Sequence, residues 1–282
     1  MVELKDINIV FVNYLMKDDI LHAVASVFND ISNCPYAVQV TVADNSQNQD
    51  GIKEALDGQF PLVNYVDCGG NVGFGKGNTM GFKSIPARYY FALNPDTVIP
   101  ENSHVIERVI KFMDEHPKIG CIGTKLLNID GTLQYSCYRF DLQSMLIKPL
   151  KQINFDKKYS WVRKFSDWLL MKDFDHNSTR PVDWVLGAAM VVRKEAIDQV
   201  GWFDEQYFMY LEDSDWCRTM WNNGWPIYYV HDIIITHKYN RDSAKVPGIF
   251  KALIKNKLAR IHLQSWLQYM WKWRHNFKHF PH

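Results

Sequence analysis

Short apolar runs alternate with segments of helical character along most of the chain, and this alternation constrains the fold more than any other feature. The apolar runs lie at residues 7–12, 38–42, 62–66, 89–93, 119–127 and 227–235. Short, almost wholly apolar runs are typical of strands buried on both faces of a parallel sheet. Helical patterns lie between them, at about 18–29, 75–83 and 104–116. The alternation predicts an α/β fold with a mostly parallel, doubly wound central sheet and flanking helices.

Composition narrows the class of protein further. At 282 residues and 47% hydrophobic side chains, the chain has the length for one large domain with an appendage. A net charge of +1 gives no overall bias toward nucleic acid. The five cysteines are odd in number and show no metal-like pairing, which favours a reducing cytoplasm. We expect no signal peptide, and the clearest apolar run, 184–192, is far shorter than the roughly 20 residues that span a bilayer.

Three carboxylates lie within four residues, at Glu212, Asp213 and Asp215, directly after an aromatic run. Carboxylates crowded against apolar surface lose solvation, which disfavours their charged form. Such groups are usually retained for a base, a metal or a strong hydrogen-bond partner. The residues alone leave a second interpretation open, in which acidic side chains at a helix N-terminus complement the helix dipole.

Another acidic position follows the fourth apolar run, in the sequence Asn94-Pro95-Asp96. Proline has no N–H to donate to a sheet, so Pro95 ends the strand. Asp96 is therefore predicted on a loop at the carboxyl end of a strand. Open α/β sheets bind their ligands at this edge.

Together these segments resemble the inverting nucleotide-sugar glycosyltransferases of family two, which have the A-type (GT-A) fold. Among them, the chain is most similar to the rhamnosyltransferase-type members that build bacterial surface polysaccharides. One motif alone is weak, but five occur in the expected order over roughly residues 5 to 240. They are Val42-Ala-Asp-Asn-Ser46, Asn71-Val-Gly-Phe-Gly-Lys-Gly-Asn78, Asp130-Gly-Thr-Leu-Gln134, Gly201-Trp-Phe-Asp-Glu205 and a late His237. The resemblance implies a GT-A catalytic domain over 1–243, with a variable insertion at 140–180, and a basic aromatic helical tail over 244–282.

The resemblance implies that residues after the early strands bind the nucleotide. Asp44 matches the residue that accepts a hydrogen bond from N3–H of a uracil or thymine ring, and Asn45 lies beside it. An Asx turn is the alternative for this carboxylate. The glycine-rich segment opens a helix whose N-terminal amides face a diphosphate, with Asn71, Gly73 and Lys76 as candidate contacts. Without the resemblance, this segment is an ordinary turn.

The resemblance also implies a divalent cation, Mg²⁺ or Mn²⁺. Asp96 matches the metal-binding acid of the Asp-x-Asp motif, which holds the ion against the donor's diphosphate. Asn94 replaces the first acid, as in the rhamnosyltransferase-like members, and is predicted on the nucleotide side of the site. His237 matches a position that completes the metal shell in metal-using relatives, although a lone histidine is more often structural.

Asp213 matches the general base of the family. A sugar hydroxyl is a poor nucleophile, so a positioned carboxylate must take its proton as the new bond forms. Glu212 and Asp215 are predicted to orient Asp213 or to bind acceptor hydroxyls. A further segment is predicted to lie under the sugar and the acceptor: Trp184, Gly187 and Ala188. A position in the core is the alternative for the tryptophan.

The tail differs from the rest of the chain because it has no acidic side chain after Asp242. It has eight cations: Lys245, Lys251, Lys255, Lys257, Lys272, Lys278, Arg260 and Arg274. Apolar residues repeat at helical spacing, with Trp266, Trp271 and Trp273 as expected interfacial anchors. Basic, tryptophan-rich amphipathic helices lie on anionic membranes, so we expect peripheral contact with the inner face of the plasma membrane. A helix packed on the catalytic domain, or on a second copy in a homo-oligomer, is the alternative.

The motifs together predict an inverting glycosyltransferase of bacterial surface polysaccharide synthesis. It would transfer a sugar, L-rhamnose as first choice, from a dTDP- or UDP-linked donor to a glycan or lipid-linked glycan. A non-catalytic carbohydrate-binding or scaffold protein that retains the fold is the alternative. The aspartates 44, 96 and 213 argue against it. A sugar-nucleotide pyrophosphorylase would need a basic glycine-rich loop, which residues 13–16 do not supply, and no recognition module points to a nucleic-acid partner.

Overall fold

The predicted alternation of strands and helices is present in the structure, a computed structural model that describes residues 4–140, 155–238 and 256–276. The strands are β1 Lys5–Asn13, β2 Val38–Asp44, β3 Asn64–Asp67, β4 Ala87–Leu93, β5 Thr97–Val98, β6 Cys121–Leu127, β7 Leu133–Gln134, β8 Cys137–Tyr138, β9 Arg180–Pro181, β10 Trp184–Val185, β11 Ala189–Arg193 and β12 Ile227–His237. The helices are α1 Lys17–Asp30, α2 Ile52–Gln59, α3 Phe74–Ser84, α4 Val105–Glu115, α5 Phe155–Lys158, α6 Ser160–Leu169, α7 Lys194–Val200, α8 Glu212–Asn222 and α9 Lys257–Trp273.

One mixed, mostly parallel sheet organises these elements, which confirms the predicted architecture. Its strand order is β3-β2-β1-β4-β11-β6-β12-β5, with β7 paired to β6 and β9 to β12. The pairs β1–β2, β1–β4, β2–β3 and β6–β12 are parallel. Strand β11 was not predicted as a strand, and it lies antiparallel between β4 and β6. It brings the central segment of the sequence into the middle of the sheet.

Helices cover both faces of the sheet, which explains why its strands are apolar at nearly every position. Along β1, side chains alternate between the two faces, so Ile9 and Val10 belong to different cores. The core around Ile9 includes residues of α1, α2 and α4. The core around Val10 includes residues of α3, α7 and α8. The carboxyl ends of β1, β2 and β4 therefore open onto one edge, where the polar loops lie.

The C-terminal helix α9 packs against the α/β domain that contains the central sheet. Its Tyr269 and Trp273 form an apolar cluster with Tyr207, which precedes α8. Trp273 is 8% exposed and donates its indole N–H to Asp215 at 2.7 Å, so its predicted role as a membrane anchor is wrong. Residues 244–255 and 277–282 of the predicted tail, 141–154 of the predicted insertion, and residues 239–243 lie outside the described residues. Among the helices that the structure describes, none is long and apolar enough to cross a bilayer.

Candidate active site

Asp213 lies in the first turn of α8 and faces the segment between β10 and β11. Its Oδ2 accepts a hydrogen bond from the backbone N–H of Gly187 at 3.0 Å, and its Oδ1 accepts from the N–H of Ser214 at 2.8 Å. Burial raises the pKa of Asp213, while the two backbone hydrogen bonds oppose the rise. The result is an oriented carboxylate that binds a proton more readily than an exposed aspartate does, as a general base requires.

Gly187 and Ala188 join this carboxylate to the loop after β4. The carbonyl of Ala188 accepts a hydrogen bond from the N–H of Asn94 at 2.9 Å, while the N–H of Gly187 holds Asp213. A Cβ atom at position 187 would lie 3.0 Å from the ring of Phe74, which is a tight contact, and 3.5 Å from the Cβ of Asp213, so a glycine suits this closely packed position. The predicted residues 187 and 188 are thus in the site, and they act through their backbone.

Asp96 and His237 come together at the carboxyl edge of the sheet. The Nε2 atom of His237 lies 3.1 Å from Oδ1 of Asp96, and the Nδ2 atom of Asn94 lies 3.4 Å from the same ring nitrogen. Strand β12 pairs with β5, and this pairing sets His237 opposite Thr97. The sheet therefore unites two predicted metal ligands that are 141 residues apart in sequence.

The surroundings of His237 fit a metal ligand. Its Nδ1 atom lies 2.9 Å from Oε1 of Gln134, which accepts a hydrogen bond if Nδ1 has the proton. We assign this tautomer from the amide orientation, and it turns the lone pair of Nε2 toward Asp96. The described residues include no group of three or more histidine, cysteine or acidic side chains able to hold a metal. The pair therefore suits an ion whose remaining ligands are oxygens of a bound molecule and water.

Asp44 is fully buried and is surrounded by hydrogen-bond donors. Its Oδ1 accepts from Nδ2 of Asn13 at 2.9 Å and from the N–H and hydroxyl of Ser46. Its Oδ2 accepts from the N–H of Asn48 at 2.6 Å and the hydroxyl of Tyr65 at 2.9 Å. Burial raises the pKa of Asp44, but the donated hydrogen bonds outweigh it and hold the pKa below its usual value. This arrangement is the Asx-turn alternative, and direct contact with a base would require a donor to leave.

The glycine-rich segment is held to the rest of the site by its backbone. The side chain of Asn45 donates to the carbonyl of Gly73 at 3.0 Å, and that of Asn71 accepts from the N–H of Gly73 at 3.2 Å. Gly73 has a φ of 91°, and a Cβ there would lie 2.0 Å from the carbonyl oxygen of Phe208. The next residue, Phe74, donates its N–H to that oxygen at 3.0 Å. Glycine is therefore required here for contact with the loop before α8, and the predicted contact of Gly73 with the nucleotide stays a prediction.

Lys76 does not point into a closed phosphate site in this structure. Its Nζ lies 2.9 Å from the carboxylate of Glu205, and the two side chains are 43% and 58% exposed. Exposed ion pairs contribute little free energy, so this pair leaves the lysine able to turn. Its predicted contact with a diphosphate stays a prediction.

The carboxylate of Asp213 is oriented by the backbone amides of Gly187 and Ser214, and Glu212 and Asp215 point in other directions. This corrects the prediction that the two acids orient it through their own side chains or bind acceptor hydroxyls. Neighbouring helix positions differ in direction by about 100°, and positions two apart by about 200°. Glu212 is 5% exposed, and its Oε2 has no hydrogen-bond partner among the described residues. Burial, then the charges of Asp213 and Asp215, raise the pKa of Glu212 well above its usual value. Glu212 is thus a buried acid that favours its protonated form.

Asp215 faces the C-terminal helix. Its Oδ1 accepts from the hydroxyl of Tyr207 at 3.1 Å and from the indole of Trp273 at 2.7 Å. Its Oδ2 lies 2.7 Å from Nζ of Lys272. The side chain is 2% exposed, so it is not available to an acceptor hydroxyl.

Trp184 has the packing role that its alternative interpretation predicts. Its ring stacks on Tyr138 with a centroid distance of 4.4 Å and an angle of 25° between the planes. Its indole N–H donates to the carbonyl of Arg139 at 3.2 Å. The side chain is only partly buried, and its contact with a sugar stays a prediction.

Two consecutive residues just before α8 have left-handed backbone conformations, which sequence reasoning did not predict. They are Tyr210, with a φ of 72°, and Leu211, with a φ of 71°. The left-handed region costs roughly 1–2 kcal/mol for each residue with a side chain. Neither residue is glycine or asparagine, so the sequence contains no signal for this turn.

Gln134 was predicted only as part of a motif, and its contact with His237 depends on the pairing of β7 with β6.

Comparison with known proteins gives independent findings. The model of a family described as "Glycosyltransferase like family 2" matches residues 7–262. The N-acetylglucosaminyl-diphospho-decaprenol L-rhamnosyltransferase of Mycobacterium tuberculosis is 27% identical over 222 residues, which cover 75% of this chain and 70% of the relative. The rhamnosyltransferase WbbL of Escherichia coli is 27% identical over 246 residues, which cover 82% and 81% of the two chains.

Solved structures share the architecture. The crystal structure of GalNAc-T7 with UDP, GalNAc and Mn²⁺ has a TM-score of 0.60 at 14% identity, covering 89% of this chain and 48% of the other. The mannosyltransferase PcManGT from Pyrobaculum calidifontis, in complex with GDP-Man and Mn²⁺, has a TM-score of 0.55 at 10% identity, covering 95% and 70%. At such identities the likeness shows the fold, and the predicted GT-A fold is confirmed.

Proposed function

Because this chain belongs to the family 2 glycosyltransferases, we propose that it transfers a sugar, with inversion, from a pyrimidine nucleoside diphosphate donor to a glycan or lipid-linked glycan. The names of its relatives support L-rhamnose as the donor sugar. The name of the mycobacterial relative also supports an acceptor linked through diphosphate to a polyprenyl lipid. Surface polysaccharide synthesis in a bacterium is the role consistent with such an acceptor.

One observation supports this function most directly. The N–H of Gly187 donates a hydrogen bond to Asp213, and the carbonyl of the next residue, Ala188, accepts one from Asn94 in the loop that contains Asp96. A transferase must keep its base at a fixed place relative to the leaving diphosphate, because attack and departure occur at the same carbon atom. A protein that only binds carbohydrate has no need for a buried carboxylate at a fixed distance from a diphosphate-binding loop.

The chemistry proposed for Asp213 is a single displacement. The acceptor hydroxyl gives its proton to Asp213 while its oxygen forms a bond to the anomeric carbon. The bond from that carbon to the diphosphate oxygen breaks, and the diphosphate leaves with the electron pair. The incoming oxygen attacks the face opposite the leaving group, which inverts the configuration. The Gly187 and Ser214 amides keep the carboxylate oriented throughout.

Asp96 and His237 are the residues that would hold a divalent cation, and such an ion would neutralise charge on the departing diphosphate. The proposal is supported by the ring nitrogen and carboxylate oxygen that meet at 3.1 Å. The two structural neighbours were solved with Mn²⁺. Imidazole is a common ligand of transition metals, whereas Mg²⁺ prefers oxygen ligands, so Mn²⁺ suits this pair better than Mg²⁺ does.

We also propose that the protein acts in the cytoplasm, at the inner face of the plasma membrane. On the outward face of α9, Leu267 is 54% exposed and Trp271 is 68% exposed. The guanidinium of Arg274 lies 4.2 Å from the ring centre of Trp271, and Arg260 is exposed on the same helix. Exposed tryptophan and arginine side chains on one helix are suited to an anionic lipid surface. All five cysteines are free thiols, as in a reducing compartment.

Asp213→Asn is expected to lower kcat roughly 10²–10⁴-fold, because an amide cannot accept the acceptor's proton. Its carbonyl oxygen can still accept one of the two backbone hydrogen bonds, so donor affinity should change little. Release of nucleoside diphosphate from a dTDP- or UDP-sugar, with a lipid-linked acceptor, measures turnover. Asp198→Asn, at an exposed position of α7, is the control. A variant that is folded and keeps more than about a tenth of wild-type turnover would show that another group is the base.

Asp96→Ala is expected to remove the Mn²⁺ dependence of nucleotide diphosphate binding. The proposed ligand pair is Asp96 and His237, and this variant removes its carboxylate. Gln134→Ala should weaken the same dependence by roughly 10–100-fold, since it frees the ring of His237. Calorimetric titrations with Mn²⁺ and with a chelator measure both effects. Unchanged affinity of Asp96→Ala for the nucleotide in the presence of Mn²⁺ would exclude a ligand role for Asp96.

Trp271→Glu is expected to weaken binding to vesicles that contain anionic lipid, because it replaces an interfacial anchor by a charge that the lipid repels. Co-sedimentation at low and high salt measures binding, which should fall as salt rises. Trp161→Glu, at a tryptophan of α6 that is 58% exposed, is the matched control. Equal loss in the two variants, or no binding by the wild-type chain, would contradict the membrane proposal.

A further inference from the structure

The buried face of α9 contacts the segment that presents Asp213. Ser265, Tyr269 and Trp273 follow one another at a spacing of four residues, and all three are buried. The hydroxyl of Ser265 donates to the carbonyl of Met209 at 2.8 Å. The hydroxyl of Tyr269 lies 3.4 Å from that of Ser214, the residue next to Asp213. One face of the helix therefore spans both the turn before α8 and the first turn of α8.

Lys272 joins two acidic side chains beneath this contact. Its Nζ lies 2.7 Å from Oδ2 of Asp204 and 2.7 Å from Oδ2 of Asp215. Asp215 also accepts from Trp273 and Tyr207. A buried carboxylate is stable only when it is paired and hydrogen-bonded, and removal of one partner is strongly destabilising. The pairs of Lys272 with Asp204 and Asp215 thus link three elements at one point: α9, the loop between α7 and α8, and α8 itself.

The turn that these contacts enclose is strained. Tyr210 and Leu211 are left-handed, and residues in such conformations persist only where the surrounding structure determines them. Helix α9 provides much of that surrounding structure. The ring of Tyr210 packs on His262 with a centroid distance of 4.6 Å, and Leu211 packs on the cluster of Tyr207, Tyr269 and Trp273.

We propose that α9 is a positioning element of the active site, with Lys272 as its central residue. By holding Asp204 and Asp215, Lys272 keeps the left-handed turn closed, and the turn sets the direction in which α8 presents Asp213. This inference rests on the proposed function, in which Asp213 is the base. Lys272 differs from the exposed cations of the tail, because it neutralises a buried acid of the catalytic domain and acts through Asp213 without touching the substrate.

The test compares Lys272→Met with Lys272→Arg and with Lys111→Met, a matched loss of a lysine and its ion pair at an exposed position of α4. Lys272→Met is expected to lower kcat by about 10- to 100-fold, since a displacement of about 1 Å is enough for such a loss. The KM for the donor and the nucleotide affinity with Mn²⁺ should change less than about threefold. Lys272→Arg should restore most of the turnover, and Lys111→Met should match the wild type.

Hydrogen–deuterium exchange supplies a readout that does not depend on activity. Residues 207–213 should exchange faster in Lys272→Met than in the wild type or Lys111→Met, because the turn opens. If Lys272→Met does not fold, Trp273→Phe replaces it, since that variant keeps a ring and loses only the hydrogen bond to Asp215. Wild-type kcat in a folded Lys272→Met, or an equal fall of kcat and nucleotide affinity, would overturn the inference. A wild-type chain without turnover would overturn the proposed function, while exchange at 207–213 would still decide the role of Lys272.

Discussion

The hydrogen bond from the N–H of Gly187 to the carboxylate of Asp213 is the contact on which the rest of the site depends. It lies where the antiparallel strand β11 enters the sheet, and the neighbouring Ala188 carbonyl holds Asn94. The loop with the candidate metal ligands and the helix with the candidate base are therefore fixed to the same two residues. Glycine at 187 suits this packing, because a Cβ there would lie 3.0 Å from the ring of Phe74.

Glu212, Asp213 and Asp215 lie within four residues of the sequence, but helix geometry turns their side chains in three different directions. Glu212 is buried, and its Oε2 has no hydrogen-bond partner among the described residues. Asp213 faces Gly187, and Asp215 faces α9. Each direction has a different electrostatic result. The pKa of Glu212 rises through burial and the two neighbouring charges. The burial of Asp215 raises its pKa against the opposing effects of Lys272 and Trp273. Only Asp213 combines backbone donors with partial exposure.

Much of the fold was predictable from the sequence, because strands buried on both faces leave continuous apolar runs and α4 has a clear apolar stripe. Strand β11 was missed, since a short antiparallel strand inside a longer apolar run has no periodicity of its own. The pairing of Asp96 with His237 followed from the resemblance, but Gln134 beside them depends on sheet register. The burial of Asp44 and the role of Lys272 were not predictable, because both depend on partners distant in sequence and on a turn without a glycine signal.

The central claim is that Asp213, held by Gly187 and partly desolvated, takes the acceptor's proton. The dependence of kcat on pH tests it most directly. The base must be ionised to act, and the pKa of Asp213 is raised from its ordinary value of 3.8. Turnover should therefore rise with pH through one ionisation whose pKa is above that value, while the donor's KM stays nearly constant. A kcat that does not change across the acid range, or that falls as pH rises through it, would contradict the account.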